Sequence, residues 1–303
     1  MPYIILSLAA IFWGGNYVVG EFMVADIDPI LLSEFRWLFT SIILVLFNFI
    51  ALKKNIGLIK SNLANIIPLG VLGQVVFPVT LYIGLQYTTS LNAAIYLSST
   101  PGLVLTLNWI FFRDHISKSN IIGVMISTFG VAWLVTKGNI TSLQFLKSIN
   151  YGDYWTMVSA VSWAIYCSFL RKKNKEISGN VFVTVCSIIG TVTLIPFSVF
   201  SLIHSGGLIK FHISAPNILG IIYLIVFPSW LSYLFWAKGI AAIGATRGEI
   251  FTHLIPLSAG VLSVIFLGTR LSQYHIISIV AICIGVFLCS RHDKKYPNNK
   301  VTV

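Results

Sequence analysis

Runs of mostly apolar residues follow one another along this chain, and its charges collect in the short stretches between them. A helix needs about 20 such residues to cross the hydrocarbon of a bilayer, and these runs have that length. The pattern predicts spans at 3–20, 29–50, 66–86, 91–111, 119–136, 152–170, 181–203, 217–236, 246–267 and 274–290. Apolar residues make up 56% of the chain and charged residues 10%, where a soluble domain carries roughly a quarter charged. Mean hydropathy is +0.88. No stretch outside the runs is long enough to bury a core of its own, which excludes a large soluble domain. The fold class expected is all-α and integral to the membrane. The run at 91–111 is broken by Ser98, Ser99, Thr100 and Pro101. A proline at mid-depth frees a carbonyl, which only protein or a wet cavity can satisfy.

A net charge of +11 invites a nucleic-acid reading, but the basic residues sit at helix ends rather than in one stripe, so no nucleic-acid partner is expected. Their distribution reads as topology instead. With an even number of spans, one face of the membrane holds only Lys137, Lys147, Lys210 and Arg270, and the other holds the bases from Lys53 to Lys300 in alternate loops. The richer face is cytoplasmic by the positive-inside rule, which places both termini in the cytoplasm. The first outer loop agrees, carrying Glu21, Asp26 and Asp28 with no base. The N-terminal run lacks a basic leader region and a small-residue cleavage pattern, so it is expected to be the first span. Cys167, Cys186, Cys283 and Cys289 all lie within apolar runs without metal-ligand spacing and read as small core residues. Neither a metal nor a cofactor is expected.

The two halves echo each other. A shift of 155 residues places Gly84 on Gly239, Pro101 on Pro256, Ile116 and Ser117 on Leu271 and Ser272, and Gly130 on Gly285. The opening helices match at a shift of 150, with Trp13 on Trp163 and Asn16 and Tyr17 on Tyr166 and Cys167. Five spans per unit is odd, so the second unit must enter the membrane from the opposite side. The expectation is two inverted five-helix repeats, 1–140 and 141–303, around a central cavity, with a short basic tail. That architecture belongs to many secondary transporters.

These residues also resemble a family. FWGGNYVVG in the first helix, DPILLSEFRW entering the second, YLFWAKGIAAIGATRGEIFTHLIPL in the second half and the Leu-Gly-x-Arg-Leu-Ser end of the ninth helix are similar to the EamA-type branch of the drug/metabolite transporter superfamily. The resemblance covers nearly the whole chain. It implies ten helices in two inverted repeats, a central cavity, and secondary transport, often export, of amino acids, other metabolites or drugs. Two departures stand out: the family often has Glu where this chain has Thr269, and a basic residue where it has Glu21.

Helical spacing selects the residues that would line the route. Trp13, Asn16, Tyr17 and Gly20 share one stripe of the first helix, and Trp163 and Tyr166 share the matching stripe of the sixth. The third offers Gln74 and Tyr82, the fourth Asn92, Tyr96 and Ser99, and the eighth Ser229, Tyr233 and Trp236. A polar stripe in lipid must face protein or water. Tryptophan and tyrosine near span ends can equally be interfacial belt residues, which suits Trp37, Tyr151 and Trp155. Glu34 and Arg36 enter the second helix near its outer boundary, where snorkelling is easy, and read as structural or gating residues. Glu249 and His253 are candidates for proton coupling, since imidazole changes charge near neutral pH, against the plainer reading of a His that bonds a neighbouring helix. Pro101 and Pro256 are expected helix breaks.

Three function classes follow. The first is a multi-pass inner-membrane transporter exporting small amphipathic metabolites, plausibly amino acids, by alternating access. The second is proton-coupled import of a cationic metabolite such as a quaternary amine, caged by Trp13, Trp163 and Tyr96. The third, an intramembrane enzyme, lacks any H-E-x-x-H, G-x-S-x-G or Walker sequence, so no catalytic residue is assigned. Oligomeric state stays open, with a monomer sufficient.

Overall fold

A computed structural model describes residues 2–113, 118–139, 150–204, 214–243, 251–252 and 254–290, and every regular element of more than one residue among them is helical. In chain order these are α1 (Pro2–Met23), α2 (Pro29–Lys54), the short α3 (Ile56–Ser61) and α4 (Leu63–Leu85). Then come α5 (Ser90–Phe112), α6 (Lys118–Val135), α7 (Tyr151–Phe169), α8 (Gly179–His204), α9 (215–243), α10 (Leu254–Leu267) and α11 (Gln273–Ser290).

Six of them, α1, α2, α4, α5, α8 and the Ala215–Trp236 part of α9, are long and apolar enough to cross a membrane; shorter apolar stretches lie at Ile121–Gly130, Leu254–Leu267 and Gln273–Gly285. The 19-residue α7 is less apolar because it carries a buried polar face of Asp153, Thr156, Ser159, Ser162 and Ser168. The surface is the inverse of a soluble protein's. Leu46, Phe47, Ile50 and Phe266 are each more than 70% exposed, while Arg36, Gln74, Asn16 and many serines and threonines are buried. Hydrocarbon rewards that arrangement and water penalises it.

Local signals set the helix ends. Asp28 caps α2, its Oδ1 accepting from the Ile30 and Leu31 amides at 2.9 and 3.2 Å, and Pro29 supplies a first-turn residue with no N–H to satisfy. Lys53 and Lys54 close the same helix against the negative end of its dipole. Asn150 and Asp153 form a reciprocal capping box at the start of α7. The α5 helix is interrupted at Ser98 and Ser99, and Pro101 stands in the first turn of its second part. Pro256 falls in the first turn of α10.

Two helices carry π-turns: Val71–Val76 within α4 and Ile225–Leu231 within α9. Each is next to or contains a proline, Pro78 and Pro228, which removes an i to i−4 donor and leaves a carbonyl to be met otherwise. Packing follows an exchange pattern. Helix α1 lies against α9 and α10, and α7 lies against α4 and α5; α2 pairs with α8, and α6 with α11. Glycines set the closest approaches. A Cβ on Gly84 would lie 2.9 Å from the Gly152 carbonyl oxygen, and one on Gly152 would overlap the Gly84 carbonyl, so α4 and α7 meet backbone to backbone.

Candidate substrate site

Helices α1, α2, α4 and α9 converge on one guanidinium. Arg36 of α2 is 2% exposed. Its Nε donates to Ser229 Oγ on α9, and its Nη1 donates to Asn16 Oδ1 on α1 at 3.0 Å and to Tyr82 Oη on α4 at 2.9 Å. The Tyr82 hydroxyl in turn donates to Asn16 Oδ1 at 2.9 Å. Ser229 Oγ also donates to the Leu224 carbonyl at 2.7 Å, the acceptor that Pro228 cannot serve because it has no N–H. The π-turn of α9 thus holds Ser229 where it can receive Arg36. Among the described residues no carboxylate bonds to this guanidinium.

Beside it lies a continuous cluster of rings. The Trp37 ring centroid is 5.0 Å from Arg36 Cζ and 5.9 Å from Tyr233. Tyr233 is 5.6 Å from Trp13 edge-on; Trp13 is 5.9 Å from Trp163 and 5.2 Å from Trp236; Trp163 stacks on Tyr166 at 5.0 Å and touches Phe77 at 4.9 Å. Trp13 Nε1 donates to the Pro228 carbonyl within the α9 π-turn at 3.0 Å. Gln74, in the α4 π-turn, is wholly buried, and among the described residues neither atom of its amide has a hydrogen-bond partner.

The structure therefore gathers Trp13, Asn16, Tyr82, Trp163, Tyr166 and Tyr233 at this centre, with Tyr17 buried beside Tyr82 and Arg36. Tyr96 goes elsewhere, into a cluster with Leu91, Ile95 and Ile282, and Ser99 donates to the Tyr96 carbonyl of its own helix at 2.7 Å. Glu249 and His253 lie outside the described residues. Two sequence readings are corrected. Trp37 is no belt residue: it is fully buried under Arg36. Arg36 does not snorkel: Pro29–Lys54 begins seven residues before it, which sets it about 10 Å along the axis at 1.5 Å per residue. A void of about 10 Å³ borders the cluster at Trp163, lined also by Thr252, Pro256 and residues of α5. A larger cleft of about 240 Å³ opens between α2, α8 and α9 at Phe47, Asn48 and Trp230.

A second polar group lies at the first turns of α5, α7 and α11; of its residues the helical spacing had selected Asn92 for the route, while its link to His275 and the Thr88–Asp153 pair were missed. His275 Nε2 lies 3.1 Å from Asn92 Oδ1, and Thr88 Oγ1 donates to Asp153 Oδ1 at 2.9 Å. Nearby, Glu21 accepts the Ser90 amide at 2.7 Å, the Ser90 hydroxyl reaches Ser263, and Ser263 pairs with Thr269 at 2.8 Å. Glu21 and Thr269, the two departures noted above, are thus joined through Ser90 and Ser263.

The EamA-like transporter family profile matches residues 1–136 and 150–291. The chain belongs to this family. An uncharacterized transporter of Bacillus subtilis (strain 168), YyaM, is 28% identical over 295 residues, spanning 95% of this chain and 93% of the relative. An EamA-like chain is thus aligned almost end to end with a protein named as a transporter. An uncharacterized transporter of Archaeoglobus fulgidus is 26% identical over 290 residues, covering 95% and 98%. A crystal structure superimposes with a TM-score of 0.64 at 13% identity, covering 95% of this chain and 96% of that one; at that identity the likeness concerns fold alone. The EamA-like protein is a multi-pass membrane transporter, and its relatives are named as transporters rather than enzymes.

Proposed function

We propose that this protein is a secondary transporter that moves small amphipathic metabolites, amino acids among them, outward across the inner membrane by alternating access, with ten spans in two inverted five-helix units and both termini cytoplasmic. The observation that carries the reading is the buried centre itself. Helices from both halves of the chain supply it: Arg36, Asn16, Tyr82 and Trp13 from the first, Ser229, Tyr233 and Trp163 from the second. A polar and aromatic site at the junction of two halves is where a rocking transporter binds its cargo. The mutual contact of Trp13, Trp163 and Tyr233 suits a closed intermediate, from which either half must move to admit a solute. The two π-turns, one per half and 154 residues apart from Val71 to Ile225, support the duplicated arrangement. Outward direction rests on the family resemblance.

The test is reconstitution. Purified protein in liposomes should exchange internal labelled solute for external unlabelled solute in a panel of amino acids, aromatic acids, amines and nucleosides. Failure to exchange any member would count against transport. A lone rise in flux from a cation, quenched by Trp13→Ala, would favour the caged-amine alternative instead.

A further inference from the structure

We propose that Arg36 is an anion-binding subsite and that the solute is an organic carboxylate whose apolar body lies against the Trp13, Trp163 and Tyr233 rings; this rests on the transporter reading and narrows it. Arginine stays protonated under all ordinary conditions. A buried charge is normally matched by an opposite charge, yet the partners of Arg36 are an amide, a phenol and a hydroxyl. The carboxylates near this end of the fold are engaged elsewhere: Glu21 with the Ser90 amide, Asp26 with Asn217, Asp28 with the start of α2, and Asp153 with Thr88 and Asn150. Glu34, two residues before Arg36 on α2, projects from roughly the opposite face. Nε and Nη1 are committed to protein acceptors, and Nη2 has no acceptor among the described residues. It is the free arm of a fork whose geometry suits a carboxylate.

The rings fix the rest of the chemistry. They begin at Trp37, in contact with the guanidinium, and run through Tyr233 to Trp13 and Trp163. A solute with an anionic head and a flat or apolar body matches both ends. A quaternary amine would place its charge beside a fixed like charge, so the arginine selects against the cargo that an aromatic cage alone would accept.

The test compares three solutes of near-equal shape: phenylacetate, phenylacetamide and benzyltrimethylammonium. Binding to purified protein is read from quenching of tryptophan fluorescence, and flux is read separately in proteoliposomes. The wild-type protein should bind phenylacetate about tenfold or more tighter than the amide, as a charge-assisted pair requires, and the ammonium most weakly. Arg36→Gln should lower phenylacetate affinity to that of the amide while leaving the amide within about twofold, and Arg36→Lys should restore part of the difference. Equal wild-type binding of carboxylate and amide, tightest binding of the ammonium, or absence of carboxylate binding overturns the proposal. So does an Arg36→Gln variant that loses the amide as fully as the carboxylate. The wild-type comparison stands by itself where a variant fails to fold. Carboxylate binding without flux keeps the subsite and counts against transport; flux of the amide or ammonium alone keeps transport and overturns the subsite.

Discussion

Ser229 does two things at once: it accepts from Arg36 and donates to the Leu224 carbonyl that Pro228 leaves open. Ser229→Ala removes both bonds, and at a buried site the orphaned groups cost about 1–3 kcal/mol. The variant should therefore unfold at lower temperature in detergent, as followed by fluorescence of a thiol-reactive or tryptophan reporter. An unchanged midpoint would mean that the two bonds are not held in the membrane-free protein. At this scale the sequence was legible where helical spacing marks a stripe, as with Trp13, Asn16 and Tyr17 or Trp163 and Tyr166. Arg36 escaped although the predicted span, 29–50, begins at the same residue as α2: a charged residue within two turns of a span end can reach either the membrane surface or the protein interior, and only packing decides which. The signal that would have found it is the spacing of Ser33, Arg36, Trp37, Thr40 and Ser41, a polar i, i+3, i+4 stripe that is buried along its length.

The π-turns belong to the element scale, and no periodicity announced them. A wider turn changes only a few residues and leaves hydropathy untouched, so α4 and α9 read as ordinary apolar helices. Their prolines are visible in the sequence, but whether a proline kinks, bulges or merely starts a helix depends on neighbours that supply the missing donor. Pro228→Ala restores an N–H and should let α9 tighten toward regular α geometry, withdrawing the carbonyl that Trp13 Nε1 uses. Melting temperature is expected to hold or rise while solute exchange falls; exchange at the wild-type rate would show that the π-turn is dispensable. Close approach makes the complementary prediction. Gly152→Leu places a side chain against the Gly84 carbonyl and Thr88 amide, forcing α4 and α7 apart. An overpacking cost of about 1–3 kcal/mol follows, and size-exclusion profiles should shift toward aggregate.

Across the whole molecule, the alternation of loop charge and the echo between the halves are features of the sequence itself, because neither pattern depends on side-chain packing. The packing of the rings on one another was not readable, because ring contact depends on how the helices lean together. Topology has a direct check. In a cysteine-free background, Ala25→Cys, in the loop after α1, should react with an impermeant maleimide from outside intact cells, and Ser61→Cys, at the end of α3, only after lysis. Reversed labelling would invert the orientation.

The α6–α11 pair points further. Each is the last helix described in its half, they lie along one another with Ser119 donating to the Leu288 carbonyl at 2.8 Å, and they meet the remaining helices chiefly through α5. A seam that joins both halves yet stands apart from the guanidinium and the rings can stay shut throughout a transport cycle. A short bifunctional crosslink between Ser119→Cys and Leu288→Cys should leave exchange intact. The same linker between Asn48→Cys and Thr184→Cys, which spans the contact of α2 with α8 beside the lateral cleft, should stop it. On that division the protein would work like a book: the binding along its spine sewn, and only the pages that hold the cargo free to turn.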